Sequence, residues 1–250
     1  MPMSQKNDAL TETETATGPI EPRPHLVVKR ALVEFRRQQL EFLDVRGKIG
    51  QSLMDAYQTV DASVAGPTDT GVIATARWTV RSSASDSRTG AIDFHQAVYE
   101  DSAVADISDF VSEAIPFLRR STKLLGSRPI ERLGVLFSFE LDGYINGQSL
   151  LNTIAGPVGG EKGMFFDASV NRLERTDARV AKITMQFNAV ETSTPENQLA
   201  RVIITVDQFE MKVPYTDALK ISLAEWYQEA VRLSDESMES LFESLESRNA

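Results

Sequence analysis

The chain has 250 residues, 42% hydrophobic and 25% charged, with Lys+Arg 26 against Asp+Glu 36 and a formal net charge of -10. That composition excludes global disorder and suits one large folded domain or two small ones, while the lack of cysteine excludes disulfides, thiolate metal sites, iron–sulfur clusters and cysteine nucleophiles. The acid excess argues against broad nucleic-acid binding, which neutralises phosphates with clustered Lys and Arg.

Residues 1–24 carry a Thr/Glu-rich run, Gly18-Pro19 and Pro22-Arg23-Pro24, and read as a disordered tail. They have no apolar core of the kind a signal peptide needs, and no window reaches the ~18 apolar residues of a membrane helix, so a soluble cytoplasmic protein is expected. From Leu26 an apolar run through Phe35 predicts a buried strand interrupted by Glu34. Burial raises a carboxylate pKa, so Glu34 has the character of a general base. The plainer reading is an ion pair with Arg36, Arg132 or Arg201.

Ile49, Leu53, Met54, Tyr57 and Val60 recur at steps of three and four and predict a helix over about residues 44–60. Residues 73–80 read as a strand, Ser82 to Gly90 as a flexible loop, and Ile92 to Tyr99 as the return strand of a hairpin. Asp93 and His95 fall on one face of that strand, close enough in sequence to form a small metal or acid–base pair, although no third ligand follows by spacing. No metal or cofactor is therefore assigned. A second helix runs from Val104 to Leu125 with a kink or break at Pro116, whose ring nitrogen has no N–H to give.

Arg132 to Leu141 read as a buried strand, and residues 179–190 and 199–211 as two further strands joined by a turn at Thr194 to Asn197. Gly156 to Gly163 is a glycine-rich loop that lacks the Gly-Lys-Ser/Thr ending of a phosphate cradle and reads as a surface loop. The closing helix is the clearest element. Leu223, Trp226, Ala230, Leu233, Ser237, Leu241 and Leu245 form its stripe, flanked by Tyr227, Met238 and Phe242, and Ser222 with Glu225 makes a capping box. Between Glu225 and Glu246 it carries seven carboxylates and one base, Arg232. Trp226, Tyr227, Leu233, Leu241 and Phe242 are candidate contacts if the stripe serves as a docking seam; the bland alternative packs them on the sheet.

The order of elements, with Ala31 to Glu34, Tyr99, Arg132 to Gly134 and Phe242, resembles a sporadically distributed bacterial family of uncharacterised proteins. Leu136, Phe137 and Phe139 depart from the Arg, Tyr and Asn usual in that family. The resemblance implies an architecture and a bacterial origin but no assigned activity.

The expected fold is α+β: a twisted antiparallel sheet of about six or seven strands carrying three long helices. It forms one domain over residues 25–248, built as similar halves 25–125 and 126–248. The function that fits is a non-enzymatic binding or assembly protein acting on a protein partner or a second copy, with an accessory role in bacterial stress or phage defence as a family analogy. The alternatives are an enzyme using Glu34, Asp93 and His95, and a nucleic-acid-binding module in which Arg36, Arg37, Arg46 and Lys48 meet Arg119, Arg120 and Lys123.

Overall fold

A computed structural model describes residues 25–37, 41–64, 76–82, 85–155, 167–176, 179–190 and 199–249. The N-terminal lead-in, the Gly156 to Gly163 loop and the turn at Thr194 to Asn197 lie outside the described residues.

Strand β1 (Leu26–Arg36) opens the chain and is followed by helix α1 (Glu41–Met54). An antiparallel meander follows: β2 (Thr59–Val64), β3 (Ala76–Arg81), β4 (Arg88–Asp93) and β5 (Gln96–Asp101). Helix α2 (Ile107–Thr122) leads through a short 3-10 turn at Lys123–Leu125 into β6 (Ile130–Leu141). After the two-residue β7 (Ile145–Asn146) and α3 (Gly147–Ala155) come β8 (Asp167–Arg175), β9 (Val180–Ala189) and β10 (Leu199–Val213). The short α4 (Tyr215–Ala218) and the long α5 (Leu223–Asn249) end the fold.

All the strands among the described residues join one sheet of ten in the order β2-β3-β4-β5-β1-β6-β10-β9-β8, with β7 paired to the start of β10. Every pairing is antiparallel. Strands β1 and β6 lie side by side at its centre, from Leu26 opposite Leu141 to Arg36 opposite Arg132. The chain leaves each of them through a helix, reaches an outer edge, and works back inward strand by strand before closing with a helix.

The α+β class and the antiparallel sheet agree with the sequence, but ten strands replace the six or seven expected. Three local causes account for the difference, apart from the two-residue β7. The Asp93 carboxylate accepts the backbone N–H of His95 at 2.8 Å and of Gln96 at 3.1 Å, and this side-chain turn folds the supposed single return strand into the β4–β5 hairpin. Helix α1 ends at Met54, so Tyr57 lies past its end and Val60 sits in β2, although both continue the helical spacing. Strand β8 runs along the sheet edge, where Ser169, Val170, Asn171 and Leu173 are exposed, so it carries no clean alternation to read. Of the kink or break expected at Pro116, the break is absent: α2 runs from Ile107 to Thr122 through it.

Alternation along the inner strands buries one face. Ala31, Val33 and Phe35 of β1, Leu133, Val135, Phe137 and Phe139 of β6, and Val202, Ile204 and Val206 of β10 are all at most 2% exposed. Against them pack Phe42, Ile49 and Leu53 from α1, Phe110, Phe117 and Leu118 from α2, and Trp226, Ala230 and Leu233 from α5. At about 1.5–3 kcal/mol for each fully buried large side chain, this layer is the main source of stability. Close approach is needed where α2 crosses β4: a Cβ on Gly90 would fall 2.5 Å from the Phe117 ring. Caps fix the helix starts, since Asp106 accepts from the Ser108 N–H at 2.8 Å and Ser222 Oγ accepts from the Glu225 N–H at 3.3 Å.

Candidate functional site

The helices share one side of the sheet, and among the described residues nothing helical covers the other. Register defines that open face row by row. Val98, Glu34, Gly134 and Phe209 lie abreast, as do Glu100, Leu32, Leu136, Asp207 and Lys182, and Arg30, Ser138, Thr205 and Thr184. Leu32, Val98, Leu136, Ile203 and Phe209 are only partly buried there. Three of the large apolar side chains most open to solvent, Val27 at 40%, Leu173 at 61% and Met211 at 58%, also belong to it.

Between the apolar positions runs a ladder of ion pairs. Arg132 forks between Glu34, which its Nη1 contacts, and Asp207, whose two carboxylate oxygens accept from Nη2 at 2.8 and 2.9 Å. The second Glu34 oxygen accepts from Arg36 Nε at 3.0 Å. The Arg132 guanidinium lies over the Phe209 ring, 4.7 Å from its centre. On the flanks, Arg30 pairs with Glu100 at 2.7 Å and Arg201 with Glu140 at 3.1 Å. Gly134 makes the centre of the ladder possible, because a Cβ there would stand 2.6 Å from Arg132 Nη1 and 2.9 Å from Glu34 Oε1. The Val-Glu and Arg-x-Gly segments behind the family resemblance thus meet in one place.

Glu34 is therefore an ion-paired carboxylate with both oxygens engaged by guanidinium groups. Asp93 and His95 do not join it. Asp93 accepts backbone N–H groups at the β4–β5 turn, His95 stacks edge-on against Phe94, and the His95 carbonyl accepts the Arg37 N–H. Among the described residues, no three His, Asp or Glu side chains converge as a metal site. The helix-seam candidates are spent on the core: Trp226, Leu233 and Leu241 are buried, and Tyr227 packs between Phe137 at 5.3 Å and Phe139 at 6.2 Å, while Phe242 is partly buried against the same cluster. The basic residues considered for nucleic acid are divided. Arg36 lies on the open face, Arg37 is buried and donates to the carbonyls of Leu125, Gly126 and Arg128, and Arg46, Lys48, Arg119, Arg120 and Lys123 are exposed on the helices.

Two further polar assemblies lie on the helical side. Arg88, in the stretch read from sequence as a flexible loop, is 5% exposed and bonded to Asp101, Asp109 and Glu113, at 3.0, 2.6 and 2.8 Å. Burial opposes its charge, but the hydrogen bonds it donates to Asp109, Asp101 and Glu113 outweigh that and raise its pKa. Glu113 also accepts from the Tyr99 hydroxyl, and burial together with that bond pushes the Tyr99 pKa up. The cluster ties α2 to β4 and β5. The second is a cleft of about 310 Å³ where α5 begins, lined by Glu174, Thr176, Arg179, Gln208, Glu225 and Glu229. There Arg179 lies over the Trp226 ring at 3.8 Å, and Gln208 donates to the Trp226 carbonyl at 2.7 Å.

Sequence reasoning named Arg36 and Arg132 as partners for Glu34, and both are. Its third candidate, Arg201, pairs with Glu140 instead. It missed Asp207, which shares Arg132 from 75 positions along the chain. Only strand alternation in β10, which puts Asp207 opposite the dry side, hinted at it.

The chain matches no family model, no curated protein and no solved structure with which it was compared.

Proposed function

We propose that this is a non-enzymatic binding or assembly protein that acts through protein–protein contacts made by the open face of its sheet. One observation carries the reading: a broad sheet face without a helix on it in the described residues, apolar in part, with four of its arginines already paired in the plane. Antiparallel sheets tolerate water on one side. What distinguishes this face is that Leu32, Leu136, Ile203 and Phe209 occupy positions that a purely solvated face fills with polar residues. A resemblance to an uncharacterised bacterial family is compatible with such a role and names no partner.

Amine-reactive cross-linking in an extract of the native host, read by mass spectrometry, tests the proposal. Lys182 lies on the open face, whereas Lys48 and Lys123 lie on the helical side. Intermolecular links concentrated at Lys182 are the expected outcome. Links confined to Lys48 and Lys123, or an unlinked chain, would sink the reading.

A further inference from the structure

We infer that the open face is the seat of a second copy of this chain, packed sheet against sheet in an isologous dimer; this rests on the protein–protein reading above and names its partner. Charge selects the occupant. On β5, β1, β6, β10 and β9 the face carries Arg30, Arg36, Arg132, Lys182 and Arg201 against Glu34, Glu100, Glu140 and Asp207, five bases less four acids, whereas the whole chain stands at -10. Two copies of so acidic a molecule repel one another over most of their surfaces. On this face that repulsion is small.

Pairing within the plane matters as much as the total. A nucleic acid needs guanidinium groups free for phosphate, and a strongly charged protein partner needs a complementary excess. Here Arg132, Arg36, Arg30 and Arg201 are each held by a carboxylate of the same face. A cover that brings no net charge of its own buries these pairs without stranding any member, and stranding one is the costly case. An identical face, one charge from neutral, comes close to that requirement.

Size agrees. Nine strands abreast at about 4.8 Å, on average about nine residues long at roughly 3.4 Å per residue, span on the order of 1,300 Å², enough to supply the ~800 Å² per partner of a standard stable interface. Stacked sheets of this kind pack about 10 Å apart through interleaved side chains. Val27, Met211 and Leu173, exposed toward the rim, are the apolar side chains that such packing would cover.

Light scattering coupled to size-exclusion chromatography of the purified full chain tests the inference. At ~50 µM the expected mass is twice 27.7 kDa. Val27→Glu and Met211→Glu, at exposed positions where folding is unaffected and far-UV circular dichroism is unchanged, are expected to weaken the dimer at least tenfold and return it toward the monomer mass. Leu43→Glu and Met54→Glu, exposed on α1 on the other side of the sheet, are expected to leave it intact. A wild-type chain that is monomeric at ~100 µM overturns the inference, as does a dimer lost in the α1 variants and kept in the open-face ones. A monomer in isolation whose Lys182 cross-links a different protein in extract also overturns self-pairing but leaves the protein-binding reading standing. Failure of both experiments removes both.

Discussion

Arg132 is the residue on which three strands converge. Its side chain is 17% exposed and that of Glu34 7%, so neither ion is well solvated and each depends on the other. Removing the guanidinium in Arg132→Ala leaves Glu34 to Arg36 alone and Asp207 without its fork, and should cost about 3 kcal/mol in urea denaturation. Gly134→Ala pushes a methyl group under the same pair, and an overpacking loss of about 1–2 kcal/mol is expected. Tyr99 supplies a pH dependence of definite sign. Burial, reinforced by its bond to Glu113, raises its pKa in the folded state, so the unfolded chain loses the phenolic proton first as pH climbs past the ordinary tyrosine value of 10.0. The contribution is fully present below that value and declines above it, by about 1.4 kcal/mol per pH unit for each such group. Tyr57 and Tyr227, also raised mainly by burial, act in the same direction. Tyr99→Phe should therefore flatten the alkaline limb of a stability-against-pH curve without abolishing it.

At the scale of elements, α5 decides between two readings of one pattern. Its apolar stripe and its acidic face are both plain in the sequence, and a stripe fits a core as well as it fits a partner. Burial of Trp226, Leu233 and Leu241 assigns it to the core, which leaves the carboxylates of Glu239, Glu243 and Glu246 outward. Thermal or chemical denaturation should reflect this: Leu233→Ala is expected to cost about 2–5 kcal/mol and Glu243→Ala no more than about 0.5 kcal/mol. Equal small effects at both positions would contradict the packing of the helix. Helix α2 is held at its other end by polar contacts, with Arg88 drawing Asp109 and Glu113 toward Asp101 of β5. Such a hub is invisible in sequence because Arg88 sits among Ser, Asp and Thr, where turn chemistry dominates the local signal.

Considered whole, the molecule is one sheet whose centre is the β1–β6 pair. The two tryptophans report on opposite sides of that pair, Trp78 on β3 beneath α1 and Trp226 on α5 beside β10. Because long antiparallel ladders join β1 to β5 and β6, and β6 to β10, neither side keeps its inner strand if the other melts. Fluorescence of Trp78→Phe and Trp226→Phe variants should show a single, coincident denaturation midpoint, after allowance for the stability each substitution removes. Separate midpoints would mean that the sides fold as independent units.

By itself the sequence determined the class of fold, the antiparallel pairing of its later strands and the capped closing helix, and it offered an ion pair beside a general base for Glu34. These follow from periodicity, turn residues and the cost of burying a bare carboxylate, all of which act over a few positions. It overran α1 and merged β4 with β5, because a helical spacing can outlast its helix and because one Asp side chain, capping two N–H groups, can turn a strand back on itself. Only the tertiary structure decided which side of the sheet the helices take, and hence that Glu34, Arg132 and Asp207, strung over more than 170 positions, stand together on the face left open. That outcome depends on strand order, and strand order is set by how distant segments pack against one another, which no local spacing records.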